Sequence, residues 1–199
     1  MRKRVVTEVA NKEEHIFAEA VRLFRQKGYH ATSMQNIADA VGLQKASLYH
    51  YLPSKQTLLF KIFERSSGAL TQQLETICAS SDSPSLKLRR AIESHLLVLC
   101  DHLDTYTVYL SERRALSSRY HAKMRAEGEK HARLIEKILA EGIARKEFRA
   151  LDTRMVALAV LGMCNWLYQW YSPEGRLTPQ QIAQIFSDVV LNGITRQRM

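Results

Sequence analysis

Apolar residues return every three or four positions along most of the chain, which is the spacing of one face of an α-helix. No segment alternates convincingly as a strand would, and no internal repeat is visible. The first stripe, Ile16, Ala20, Leu23 and Phe24, predicts a helix opened by Asn11 with Glu14 as its capping partner. Gly28 then stands where a left-handed C-terminal cap is wanted. Thr32 with Gln35 has the reciprocal capping pattern and predicts a short helix over 33–41, through Ile37, Ala38 and Val41, that ends at Gly42. A second short helix over 45–51 is stopped by Pro53. Ser54 caps a longer one that carries Leu58, Leu59, Ile62 and Phe63.

The run SSDSPS, Ser80 to Ser85, reads as a linker, with Ser83 as N-cap and Pro84 at the first helical position. Beyond it the pattern predicts helices near 84–103, 105–116, 118–145, 152–171 and 178–193, the last opened by Thr178, Pro179 and Gln181. The expectation is an all-α chain. A small N-terminal three-helix unit covers residues 1–65 and a larger helical domain covers 66–199.

The chemistry concentrates in GLQKASLYHYLPSKQTLL, Gly42 to Leu59. Two short helices joined by a tight turn at Gly42-Leu43 have the layout of a helix–turn–helix, whose second helix enters the major groove of DNA. Leu43 and Leu48 are expected to face inward with Ile37, Ala38 and Val41. Gln44, Lys45, Ala46, Ser47, Tyr49 and His50 then face outward, where an amide, an ammonium, a hydroxyl, a phenol and an imidazole can bond base edges and phosphates. The small Ala46 and Ser47 permit close approach to the groove. Lys55, beside the Ser54 cap, is expected to hold a phosphate, as are the hydroxyls of Thr32 and Ser33 across the groove. The bland alternative is a solvated helix pair.

A formal net charge of +9 agrees with a polyanionic partner. Hydrophobic residues at 46% and charged residues at 25% are ordinary for a globular protein. Cys78, Cys100 and Cys164 show no CxxC spacing and read as core residues of a reducing compartment. Met155–Leu167, the longest apolar run, falls short of the ~17–25 residues of a membrane span. Polar residues interrupt the N-terminal stretch where a secretory signal would be apolar. A cytoplasmic protein without a membrane partner is therefore expected. Arg2, Lys3 and Arg4 form either a DNA-contacting arm or a solvated tail.

The segment TSMQNIADAVGLQKASLYHYLPSKQTLL resembles the N-terminal signature of the TetR family of transcriptional repressors, through Thr32, Ile37, Ala38, Gly42, Leu48, Tyr49, Ser54, Lys55 and Leu58. The resemblance covers residues 12–65 closely. Gln44 stands where Ser or Thr usually caps the recognition helix, Ala46 replaces a common glycine, and Tyr51-Leu52 stands near the usual His-Phe; these alter base preference rather than docking. The resemblance implies a homodimer on a palindromic operator, with a C-terminal domain that dimerises and binds a small-molecule effector that releases the DNA. Dimerisation also follows from physics, because one short recognition helix reads too few base pairs for genomic specificity.

In the C-terminal half, MVALAVLGMCNWLYQWY, Met155 to Tyr171, is apolar on nearly every face and needs covering by the core and by a second subunit or ligand. The family pairs its last two long helices with their symmetry mates, and the same is expected here. Asn165, Trp166, Gln169 and Trp170 mix amides and indoles as an effector pocket does, although core or interface packing explains them as well. Glu112–Arg133 carries seven Lys or Arg against three Glu, a solvated face or an anion site at a pocket mouth that begins with Arg113 and Arg114. YLSERRAL and LGMCNWLYQWY resemble the fatty-acid and acyl-CoA-responsive branch of the family, which implies an acyl-CoA thioester as effector. A lipophilic-cation sensor, with Glu93, Asp101 and Asp104 as candidate carboxylates, and a ligand-independent dimeric DNA-binding protein are the alternatives. The motifs G-x-S-x-G, P-loop and H-E-x-x-H are absent, and His95 and His102 alone make no metal site, so neither enzymatic activity nor a cofactor or metal is expected.

Overall fold

The structure, a computed structural model, describes residues 2–195, with side chains from Lys12 onward. Among these residues the helices are α1 (Arg2–Lys27), α2 (Met34–Ala40), α3 (Lys45–Tyr51), α4 (Lys55–Ala79), α5 (Pro84–Asp101), α6 (Leu103–Glu112), α7 (Ser118–Ala144), α8 (Thr153–Trp166) and α9 (Pro179–Ile194). Tight 3-10 turns follow α6 at Arg113–Ala115 and α8 at Leu167–Gln169. The described residues form no strand, and one isolated bridge joins Phe148 to Thr195. The all-α expectation holds.

Caps account for most helix ends. Gly28 has φ 85° and donates its amide to Phe24 O at 3.0 Å, closing α1 with the left-handed residue that only glycine adopts cheaply. Gly42 has φ 66°, and the amides of Gly42 and Leu43 return to Asp39 O and Ala38 O, the paired bonds of a Schellman motif. Ser83 caps α5 with Pro84 in its first turn, and Thr178 with Gln181 forms the capping box of α9.

Three expectations shift. α1 begins at Arg2, so Asn11 lies within the helix and not at its cap; the side chains of Asn11 and of Arg2, Lys3 and Arg4 lie outside the described residues. The box at α2 is Ser33 with Asn36, one residue beyond the Thr32–Gln35 reading, because the Thr32 side chain is turned inward. α8 stops at Trp166 and tightens into a 3-10 turn at Leu167–Gln169, short of the helix predicted over 152–171.

The chain gathers into two compact units, Met1–Arg65 with Asp104–His121, and Ser66–Leu103 with Ala122–Met199. In the first, Ile16, Ala20, Leu23, Phe24, Ile37, Ala38, Leu48, Leu52, Leu58, Leu59 and Ile62 form the core. The segment from α6 into α7 adds two aromatic stacks, Tyr109 on Phe63 at 4.5 Å and Tyr120 on Phe60 at 4.6 Å. The Tyr120 hydroxyl also lies 2.9 Å from Thr57 Oγ1.

In the second unit α5 packs along α9 and against α8, with Leu88, Ile92, Leu96, Leu99, Ile135, Leu139, Val160, Cys164 and Ile182 inside. Several polar groups buried there are paired. Lys87 donates to Glu141 at 2.9 Å, His95 Nε2 meets Asn165 Oδ1 at 3.0 Å, and His131 Nε2 lies 2.5 Å from Thr71 Oγ1.

Candidate nucleic-acid interface and effector domain

Of the seven residues of α3 only Leu48 is buried, and it is completely so. Burying that one leucine contributes about 2 kcal/mol, and Leu52 beyond the helix repeats the anchor. All the remaining side chains of α3, Lys45, Ala46, Ser47, Tyr49, His50 and Tyr51, face outward, and Gln44 is exposed at the N-cap without a side-chain capping bond. A helix held by so few apolar contacts, with its polar and aromatic side free, has the form of a reading head. Lys45 Nζ lies 5.9 Å from the Tyr49 ring, and the His50 and Tyr51 rings meet edge-on at 5.8 Å. Tyr51 was missing from the sequence-predicted set. Its signal was present, since Leu48 and Leu52 at i and i+4 take the inner face and leave Tyr51 on the flank.

Ser33 is exposed, as expected. Thr32 and Lys55 are not presented as expected. The Thr32 side chain is buried and donates to Gly28 O at 2.8 Å, with Leu23 O a further 3.3 Å contact. Lys55 Nζ donates to Tyr29 O at 2.7 Å, Thr32 O at 2.8 Å and His30 O at 3.3 Å, and it stands 4.4 Å from the Tyr29 ring centre. An ammonium has three donors, and these three carbonyls engage them all. Those carbonyls belong to the turn between α1 and α2, outside the regular helical ladder, although Tyr29 O also accepts from Thr32 N at 3.3 Å.

The predicted effector residues fall in both units. Arg113 and Arg114 are exposed on the 3-10 turn of the first unit. In the second unit Asn165 is half-buried and engaged by His95, whereas Trp166, Gln169 and Trp170 lie on the outer surface, the two indoles 61% and 50% exposed. The four residues therefore do not converge on one pocket. Of the basic segment, Lys130 pairs with Glu75 at 2.8 Å, whereas the segment's own Glu129 is engaged through both oxygens by Arg154 outside it. Asp101 and Asp104 are exposed and Glu93 half-buried, with Asp104 paired to Arg25 at 3.0 Å. Among the described residues no three His, Cys, Asp or Glu side chains gather as a metal site, and no helix is long and apolar enough to cross a membrane.

Residues 16–62 match the family described as bacterial regulatory proteins, tetR family, and residues 81–194 match the tetracyclin repressor-like C-terminal domain. The chain belongs to the TetR family of transcriptional regulators. The TetR regulator PfmR of Thermus thermophilus shares 33% of its sequence and superimposes with a TM-score of 0.84, over 91% of this chain and 99% of that one. The transcriptional repressor KstR2 of Mycobacterium tuberculosis is 26% identical over 196 residues, 98% of each protein. AibR, solved with isovaleryl coenzyme A and operator DNA, is 29% identical with a TM-score of 0.79, over 89% of this chain and 97% of that one. As in other TetR regulators, the helix–turn–helix is the DNA-binding element, here α2 and α3.

Proposed function

We propose that the protein is a transcriptional repressor that binds a palindromic operator as a homodimer and is released by a small, largely apolar effector, an acyl-CoA thioester. The observation that carries the DNA reading is α3 itself, with one buried leucine and every other side chain facing outward. Gln44, Lys45, Ala46, Ser47, Tyr49, His50 and Tyr51 read the major groove, and Ser33 meets a phosphate. Two copies across a twofold axis place their recognition helices about 34–36 Å apart, or a near-integral multiple.

The dimer reading rests on exposed apolar side chains of α8 and α9 that no described residue covers. Met155, Leu158 and Trp166 on α8, with Ile185 and Val189 on α9, are 42–64% exposed. Large apolar side chains at such exposure on two helices suit an association surface. The thioester reading is supported by the likeness to AibR, whose structure holds isovaleryl coenzyme A, and by the exposed guanidinium groups of Arg113 and Arg114, which suit phosphate. A lipophilic-cation sensor is less well served, since Asp101 and Asp104 are both solvent-exposed.

Gln44→Ala or Lys45→Ala is expected to weaken operator binding by about 1–3 kcal/mol and to relax base preference at one position per half-site. Binding to a randomised operator library measures both. Equal losses on operator and random DNA would remove base reading from these positions. For the effector, mobility shifts with acyl-CoAs of several chain lengths, the matching free acids and lipophilic cations are expected to show release by thioesters alone. Release by none of them would leave a ligand-independent dimer, and acids as potent as thioesters would strip Arg113 and Arg114 of their part.

A further inference from the structure

The interior of the second unit holds a set of hydrogen-bonding side chains drawn from several helices: Ser67 and Thr71 on α4, His95 on α5, His131 on α7 and Asn165 on α8. Ser67, Thr71, His95 and His131 are more than nine-tenths buried, and Asn165 is half-buried. Polar groups so placed are tolerated when each finds a partner, so their donors can be accounted for in turn.

The Thr71 hydroxyl has one hydrogen, which goes to Ser67 O at 3.0 Å. His131 Nε2, 2.5 Å from Thr71 Oγ1, is therefore the donor of that pair. Burial favours the neutral ring at His131, and His131 in turn adds to the lowering of the His95 pKa. His95 Nε2 meets Asn165 Oδ1 at 3.0 Å. Within this network the Ser67 hydroxyl is left over. Ser67 Oγ is shut off from solvent and has no partner among the described residues. Thr71 and Thr76, on the same helix, each return their hydroxyl to the carbonyl four residues back; Ser67 does not. Lys87, the buried cation of this unit among the described residues, is already paired with Glu141 at 2.9 Å.

We infer that Ser67 is an effector-binding residue whose hydroxyl donates to an uncharged carbonyl oxygen of an otherwise apolar molecule, seated where Thr71 and His131 tie α4 to α7. A water molecule fills this place poorly, since a buried one needs about two to four polar partners and the Thr71 and His131 donors are already engaged. A carbonyl oxygen is served by one donor and brings its own apolar flanks. A carboxylate or an ammonium would lose its hydration with no opposite charge to replace it. The inference deepens the effector reading above and rests on it only for the link to operator release. The carbonyl is that of the thioester or a keto group on the acyl chain.

Three measurements on the full-length protein, without DNA, test it. Ser67→Ala removes an unpaired donor, so its melting temperature is expected to rise by about 2–4 °C. An unchanged or lower one means that the hydroxyl already has a partner, a trapped water included, and overturns the inference. Calorimetry at neutral pH with methyl octyl ketone, decanoate and decylammonium is expected to show tightest binding for the ketone, weakened about fivefold in Ser67→Ala. No binding of the ketone, no preference for it, or a preference that survives in Ser67→Ala overturns it equally. Decanoyl-CoA, its thioether analogue S-decyl-CoA and a decanoyl-CoA with a keto group near the chain end separate the two carbonyl sources. The added carbonyl that tightens binding in the wild type, and no longer does so in Ser67→Ala, is the one Ser67 holds; a gain from neither removes Ser67 from the site. Operator release is read separately, in mobility shifts. Acyl-CoAs that bind and release no DNA would sink the effector class proposed above and still leave the ketone comparison to judge Ser67.

Discussion

Val189→Glu is expected to leave the protein monomeric and to lower operator affinity by about a thousandfold or more. Val189 is 64% exposed on α9, so within one protomer the change touches little, and protomer stability should move by no more than about 0.5 kcal/mol. In the proposed dimer the same position lies in an apolar seam with Ile185, Leu158, Trp166 and Met155. A carboxylate there is desolvated without a partner, which costs more than a modest interface supplies. Loss of the second half-site removes the simultaneous reading that separates specific from non-specific binding, a gap of about 10³–10⁷. Sedimentation together with operator mobility shifts decides it. A variant that remains dimeric at micromolar concentration would show that this stripe is not the seam.

Stability is expected to fall by about 2 kcal/mol between pH 7.5 and pH 5, and His95 is the main reason. Its ring is buried against Asn165, and burial pushes its pKa down to about 4. The unfolded chain takes up the proton near the usual 6.5, before the folded protein does. In that window the unfolded state binds more protons, so stability is complete above about pH 6.5 and drains away as pH falls towards 4. His131, also lowered by burial, acts in the same direction. Urea unfolding midpoints at the two pH values give the wild-type slope. His95→Gln, which keeps a donor for the Asn165 oxygen without a titrating ring, should flatten most of it. An unchanged slope in that variant would place the acid sensitivity elsewhere.

Much of the fold was legible because helices announce their own ends. Gly28, Gly42, Ser83 with Pro84, and Thr178 with Gln181 all act within four residues of the bonds they make, so local pattern suffices to place them. Leu48 among polar neighbours was enough to orient α3. Local pattern misled where a polar side chain found a partner far away in sequence. Lys55 reaches back 23 to 26 residues to its carbonyls, and Asn165 meets His95 70 residues upstream. Nothing near either residue signals such a bond. The same holds for residues 104–121, which join the first unit by stacking Tyr109 and Tyr120 on Phe63 and Phe60.

Trp166 and Trp170 show the opposite limit. Their types suggested a pocket, the core or an interface, and both indoles are exposed, Trp166 at the end of α8 and Trp170 just past the 3-10 turn. From the amino acids alone follow the helical class, the helix–turn–helix and the membership in a family of DNA-binding regulators. These depend on short-range caps, on periodicity and on a contiguous motif. The tertiary structure alone decided which polar groups stay free to meet DNA, because a donor is free only when no distant carbonyl has claimed it. It also decided which apolar residues remain uncovered, since exposure depends on every element that packs nearby.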